Sequence, residues 1–282
     1  MISIRNRFRT AVVMLFAGTA LGASSAALSQ QVDPWDGQWH SQFTLYGWFP
    51  AFTTDLNFAL RNGDSASPSL EVKPDNYLSN LRFAAMAYGA ARKGNWDIFT
   101  DIVYADIGTQ KAKVRELNTP GGILHPQAEI NVDVDLKALV WTLGAGYTVA
   151  RSAAGNLDLL GGARYLRLKA STGANVFGPN GNLGSSAAAS TTQDVWTGNF
   201  GVDGRLRLGD GNWFMPYEAD VGFGSYHGSS VTSFNGILGI GYHFGWGDVL
   251  GAWRYLDYHL DSNAPLEKLI LNGPAIGVTF HW

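Results

Sequence analysis

The segment Leu271–Trp282 constrains this chain more than any other. Read with a period of two, Ile276, Val278, Phe280 and Trp282 fall on one face of a strand, and Ala275, Gly277, Thr279 and His281 on the other. One face is wholly apolar and closes on an aromatic residue. Water is a poor neighbour for such a face. A bilayer suits it, because the apolar side meets lipid and the terminal aromatic sits at the interface.

Charged residues are 15% of the chain, against about 25% in soluble domains, while aromatics reach 13% and glycines number 35. No segment beyond the amino end approaches the roughly 20 apolar residues of a spanning helix. A charge-poor chain without such a helix can still cross lipid as strands closed into a barrel, where every backbone polar group is paired. At the amino end, Arg5, Arg7 and Arg9 precede an apolar run from Ala11 to Ala23 and the small residues Ser24–Gln30. These are the parts of a secretory signal peptide, expected over residues 1–29 with cleavage after Ala27 or Ser29. Removing those three arginines, and no acid, takes the net charge from −3 to −6. The absence of cysteine rules out disulfides and a lipid-anchored cysteine, and the acidic balance argues against nucleic-acid binding.

Strand-like runs separated by Gly, Asn and Asp turns are expected at 39–49, 82–92, 96–107, 129–148, 156–169, 191–208, 213–224, 230–244, 249–260 and 268–282. That reading is an all-β, transmembrane, antiparallel up-and-down barrel of ten strands over residues 35–282, with eight or twelve left open by residues 50–81. That segment reads as an outside lip or plug, and Pro74–Leu81 as one or two helical turns. Short connections (93–95, 150–155, 209–212, 245–248) alternate with longer ones (108–128, 170–190, 261–267) and a brief one at 225–229. Outer-membrane barrels keep short turns in the periplasm and long loops outside, which places both termini in the periplasm. The loop Gly173–Ser190, small and polar, reads as mobile outer surface. Face parity supports a lipid-facing exterior. Leu139, Trp141, Leu143, Ala145 and Tyr147 oppose Val140, Thr142, Gly144 and Gly146; Phe234, Leu238, Ile240, Tyr242 and Phe244 oppose Asn235, Gly239, Gly241 and His243. Charges keep to the small-residue face, so bulk points outward, whereas a soluble lipocalin-like barrel or sandwich would reverse this.

The segments TLYGWFP (Thr44–Pro50), DIVYAD (Asp101–Asp106), GGARYL (Gly161–Leu166), WRYLD (Trp253–Asp257) and GPAIGVTF (Gly273–Phe280) resemble small proteobacterial outer-membrane β-barrel proteins of the porin-like kind. The resemblance runs from about residue 38 to the end. It implies the barrel fold, a Gram-negative outer-membrane location, and a terminal strand read by the outer-membrane assembly machinery. It brings no catalytic residues.

Function must then come from the inward face. Arg164, Arg205, Arg254, Asp101, Asp203, Glu218 and Asp220 share inward parity near mid-barrel. As a ring of charges they would form a constriction selecting small polar solutes in a narrow porin-like channel. As ion pairs they would fill a closed lumen in a structural or surface-interaction, adhesin-like barrel, because ten strands enclose little more than their own side chains. The discriminating feature is whether Arg164, Arg205 and Arg254 each find an acid across the lumen. Trp141, Tyr147, Tyr165, Trp253, Tyr255, Phe280 and Trp282 read as lipid-facing girdle residues, as do Tyr46, Trp48 and Tyr104. A rim-site hydrolase would draw on Asp257, His259 and Asp261, with Asp106 completing the group. No serine stands beside His259 in an enzyme-like motif, so the chain is expected not to be an enzyme. The histidines at 40, 125, 227, 243, 259 and 281 are scattered, so neither metal nor cofactor is expected. The expected partners are outer-membrane lipids and the assembly machinery, around a monomer.

Overall fold

Alternation of bulky and small residues along ten runs of chain produces ten long strands that close on themselves. In the computed structural model, residues 33–56, 58–59, 65–66, 69–114, 130–177, 183–260 and 266–282 are described. The expected signal segment lies outside them. The strands are β1 (Trp39–Trp48), β2 (Leu81–Lys93), β3 (Trp96–Val114), β4 (Ile130–Ser152), β5 (Gly155–Phe177), β6 (Leu183–Arg207), β7 (Trp213–Tyr226), β8 (Ser229–Phe244), β9 (Gly247–Leu260) and β10 (Leu266–His281). Each pairs antiparallel with its sequence neighbour, and β10 closes on β1 with Phe43 opposite Phe280 and Leu45 opposite Val278. The barrel is all-β, up-and-down and ten-stranded, as expected. Closure removes both sheet edges.

The outer face is apolar. Ile98, Leu143, Leu159, Leu238, Ile240 and Ile276 are exposed between two bands of aromatics. One band follows the end that carries Asp33, Trp282 and the short turns. There Trp213, Tyr242, Phe244, Trp246 and Phe280 form a chain of ring contacts 4.7–6.0 Å apart, and Trp96 meets Tyr147 at 4.8 Å. Towards the opposite, long-loop end, Trp196 packs on Trp141 and Tyr165, Phe83 on Tyr104, and Phe234 on Tyr255. Tyr46 and Trp48 depart from the girdle expected of them. Their parity on β1 matches buried Thr44, and both point inward.

The long connections also differ from expectation. Residues 108–114, and most of 170–190, are strand. β3 runs on to Val114, and β5 and β6 continue as a paired ladder to Phe177 and Leu183, taking in most of the stretch read as mobile loop. The cause is cooperative: a ladder already set in register by the barrel adds one backbone pair at a time. β7 and β8 instead turn back early, through His227 (φ 48°) and Gly228 (φ 85°), left-handed values that suit a two-residue type I′ turn. The wall is therefore tall along β3–β6 and low along β7–β9.

The described parts of 50–81 continue that wall. Ala51–Leu56 pairs with β10, and Ser69–Val72 pairs with it in turn and reaches β3 at Leu70–Val114. A helical turn at Pro74–Tyr77 follows, with proline at its start, where the missing N–H costs nothing, and a 3-10 turn at Leu78–Asn80 leads into β2. Tyr77 is buried, stacks on Phe52 at 4.7 Å and donates its hydroxyl to the Pro50 carbonyl at 2.9 Å. That burial holds its phenol above the usual tyrosine range.

Candidate functional site: a filled lumen

Three tiers of side chains fill the barrel. The middle tier is a polar belt. Arg164 on β5 forms a two-point pair with Asp220 on β7 (2.9 and 2.6 Å), and its Nε donates to Thr142 on β4 at 3.0 Å. Asp220 also accepts from Asn199 on β6 at 2.7 Å and Asn235 on β8 at 2.9 Å. Asn235 in turn donates to Glu218 at 2.6 Å and accepts from Arg254 Nε on β9 at 3.1 Å. Arg254 then reaches across to Asp101 on β3 (2.9 Å) and the Tyr46 hydroxyl on β1 (3.0 Å), while Tyr46 donates to Asp101 at 2.5 Å. Eight of the ten strands are thus tied into one network. Its members are deep: Arg164 is 2% exposed, Arg254 4%, Asp220 2% and Asn235 0%. Charges so far from water persist only when paired and hydrogen-bonded, and these are.

The tier at the terminal end holds two further groups. Arg92 on β2 bonds Thr148 at 2.5 Å, Asp97 at 3.2 Å and, across two intervening strands, Asp158. Trp35, ahead of β1, lies under this group, with its Nε1 on Thr148 at 3.0 Å and the guanidiniums of Arg92 and Arg151 over its ring. Beside it, Asp36 bonds His40 at 2.8 Å, which holds its carboxyl below the usual range. The second group centres on Asp248 of β9. Its carboxylate meets Arg205 (2.8 Å), His243 Nδ1 (2.6 Å) and His281 Nε2 (3.0 Å).

The tier towards the long-loop end is apolar. Trp48, Val103, Val140, Leu166, Leu168, Val195, Val231, Leu256, Tyr258, Leu260, Leu269 and Leu271 form one buried cluster on the inward face, with Phe52 and Met86 against it. Lumenal glycines make the packing possible. Phe99 lies on Gly144 and Phe214 on Gly241, where any Cβ would occupy the ring's place. A cavity of about 10 Å³ between Phe99, Leu160, Arg164, Glu218 and Asp220 leaves room for roughly one water.

Of the inward charges read from sequence, Arg164 meets Asp220, Arg254 meets Asp101, and Glu218 joins the network through Asn235. Asp203 faces Glu218 across β6 and β7. Arg205 stands apart from the belt, nearer the terminal mouth, where it lies over the Phe214 ring and bonds Asp248. Sequence reasoning missed Arg92, Asp97, Asp158 and Asp248, and the neutral linkers Tyr46, Thr142, Asn199 and Asn235. Parity offered a signal for the charged ones, since Asp158 shares the face of Arg164 and Asp248 that of Arg254. Trp141, Tyr147, Tyr165, Trp253, Tyr255, Phe280 and Trp282 all have outward parity on their strands. Asp257 and His259, 3.1 Å apart, have the same outward parity, and Asp261 lies outside the described residues. Asp106 is remote from them. It sits on the outer face of β3, paired with Arg82 and Lys137, with three strands between it and β9, so Asp106 does not join the Asp257–His259 pair.

This architecture is that of the outer-membrane β-barrels. No family model and no curated protein matches the chain. Among solved structures, it is similar to the outer membrane protease OmpT from Escherichia coli, with 14% identity and a TM-score of 0.53 over 90% of this chain and 100% of that one. Fainter likenesses include the translocator domain of the autotransporter NalP from Neisseria meningitidis (13% identity, TM-score 0.40, 86% and 87% of the two chains). An anion-selective porin from Comamonas acidovorans is another (8% identity, TM-score 0.23, 86% and 100%). At such identities the likeness to OmpT is one of fold alone.

Proposed function

We propose that this chain is an integral outer-membrane β-barrel with a sealed lumen, a membrane-held scaffold that presents its long-loop end to partners at the cell surface. The observation that carries this reading is that Arg164, Arg205 and Arg254 are each engaged by an acid from another strand, beneath an apolar tier. A solute-selecting constriction needs water-exposed charge and a continuous wet path. The apolar outer face and its aromatic bands support insertion in the Gram-negative outer membrane. Export by the signal peptide at 1–29, assembly through the terminal strand, lipid as the surrounding partner and a monomeric state complete the proposal. The reading is non-enzymatic: on the outward face Asp257 is engaged by His259 at 3.1 Å and by the Tyr255 hydroxyl at 3.1 Å, and Asp106 stands three strands away.

Planar-bilayer recording of the purified, folded chain tests the sealed lumen. The expected trace is a flat baseline in both voltage directions. Reproducible discrete conductance steps would overturn the proposal in favour of a narrow porin-like channel. Location is tested separately by membrane fractionation in a Gram-negative host, where recovery in the soluble periplasm would refute it.

A further inference from the structure

We infer that His243, Asp248 and His281 form a binding site for one zinc-class divalent cation at the terminal mouth of the barrel. Three adjacent strands supply the ligands. His243 and Asp248 sit directly opposite each other on β8 and β9, and Thr279 pairs with Asp248 from β10, with His281 next along the same face. Their donor atoms, one from each residue, lie within 4.8 Å of one another. Both imidazoles already aim a ring nitrogen at the same carboxylate, at 2.6 and 3.0 Å.

Two imidazoles and one carboxylate, with an open fourth position for water, are a donor set for zinc and its neighbours rather than for magnesium or calcium, which prefer all-oxygen shells. Tetrahedral zinc, with bonds of about 2.0–2.2 Å, places its ligand atoms roughly 3.3–3.5 Å apart, so the two rings need only small rotations. They have room for that: the side chains of His243 and His281 are 39% and 37% exposed, while Asp248 is 3% exposed and fixed. The mouth therefore offers a rigid carboxylate flanked by two adjustable rings that solvent ions can reach.

Arg205 opposes the cation. Its Nη1 is 2.8 Å from the Asp248 oxygen that His281 also uses. At 39% side-chain exposure, it can swing towards solvent when a metal takes that oxygen. Metal and guanidinium thus compete for one carboxylate, and this competition supplies the sharpest test.

The experiment is calorimetric titration of zinc chloride into the tag-free, folded chain in detergent, with cobalt(II) as a visible-absorption probe of imidazole ligation. The expected result is one saturable equivalent of zinc, weakened at least about tenfold in both His243→Ala and His281→Ala and tightened about tenfold in Arg205→Gln. Circular dichroism of each variant confirms the barrel. Zinc binding that survives the double histidine variant would overturn the site. So would no saturable binding below millimolar zinc, equal competition by magnesium, or weaker binding in Arg205→Gln.

Discussion

Four donors converge on Asp220: two from Arg164 and one each from Asn199 and Asn235. Asp220→Ala leaves a buried guanidinium without its counter-charge, a loss of about 3–5 kcal/mol. Urea unfolding of the detergent-folded chain, followed by tryptophan fluorescence, should show it, and adding Arg164→Met should restore most of the stability. An unchanged midpoint in the single variant would mean that the pair contributes nothing. Gln193 runs the other way. It is 2% exposed, opposite Leu168 and beside Val195, and neither its amide oxygen nor its nitrogen has a partner among the described residues. Gln193→Leu should therefore raise stability by about 1–2 kcal/mol in the same assay; a decrease would show that the amide is bonded after all. Inward parity of charges such as Arg164 could be read from alternation alone. Which acid each would meet could not, because pairing across a lumen depends on strand number and tilt, and because Asn, Thr and Tyr carry no charge to mark them as linkers.

Among the elements, the segment 50–81 shows where local signals suffice and where they stop. The proline-led turn at Pro74–Tyr77 was legible from residue types. The strands that precede it, Ala51–Leu56 and Ser69–Val72, lie along β10 and β3, and those partners could not be read from their own residues. The same holds for the upper β5–β6 ladder, which continues past the aromatic band at Tyr165 and Trp196 with no apolar alternation in its sequence. Tyr77 ties the turn down, and its raised phenol pKa gives it a pH signature. The folded state favours the neutral phenol. Its contribution is complete below the ordinary tyrosine value near 10 and is lost as pH climbs above it. Stability of the wild type should thus fall more steeply above about pH 10 than that of Tyr77→Phe. Parallel pH profiles for the two would sink this assignment.

For the whole molecule, ten strands and their hand-over from neighbour to neighbour were legible because a closed up-and-down barrel leaves few alternatives to an even-numbered ring of alternating strands. The tall wall, the low wall and the apolar upper lumen were hidden. Inward Leu166, Leu168, Leu256 and Leu260 look in sequence like breaks in the alternation, and only the assembled ring shows them meeting. Removing Leu271–Trp282 takes away the seam that joins β10 to both β9 and β1. The truncated chain should show no protease-resistant folded form in detergent, by circular dichroism and limited proteolysis; a resistant barrel would mean that the remaining strands close without it. Arg254 and Asp101 belong to strands that become neighbours across the interior only through that seam. Until it forms, the arginine of the ninth strand and the aspartate of the third are strangers on an open ribbon, each needing water. Closing the ring therefore works as a latch with a built-in check: an unfinished barrel leaves Arg254 and Asp101 without each other, and only the finished one brings them to 2.9 Å.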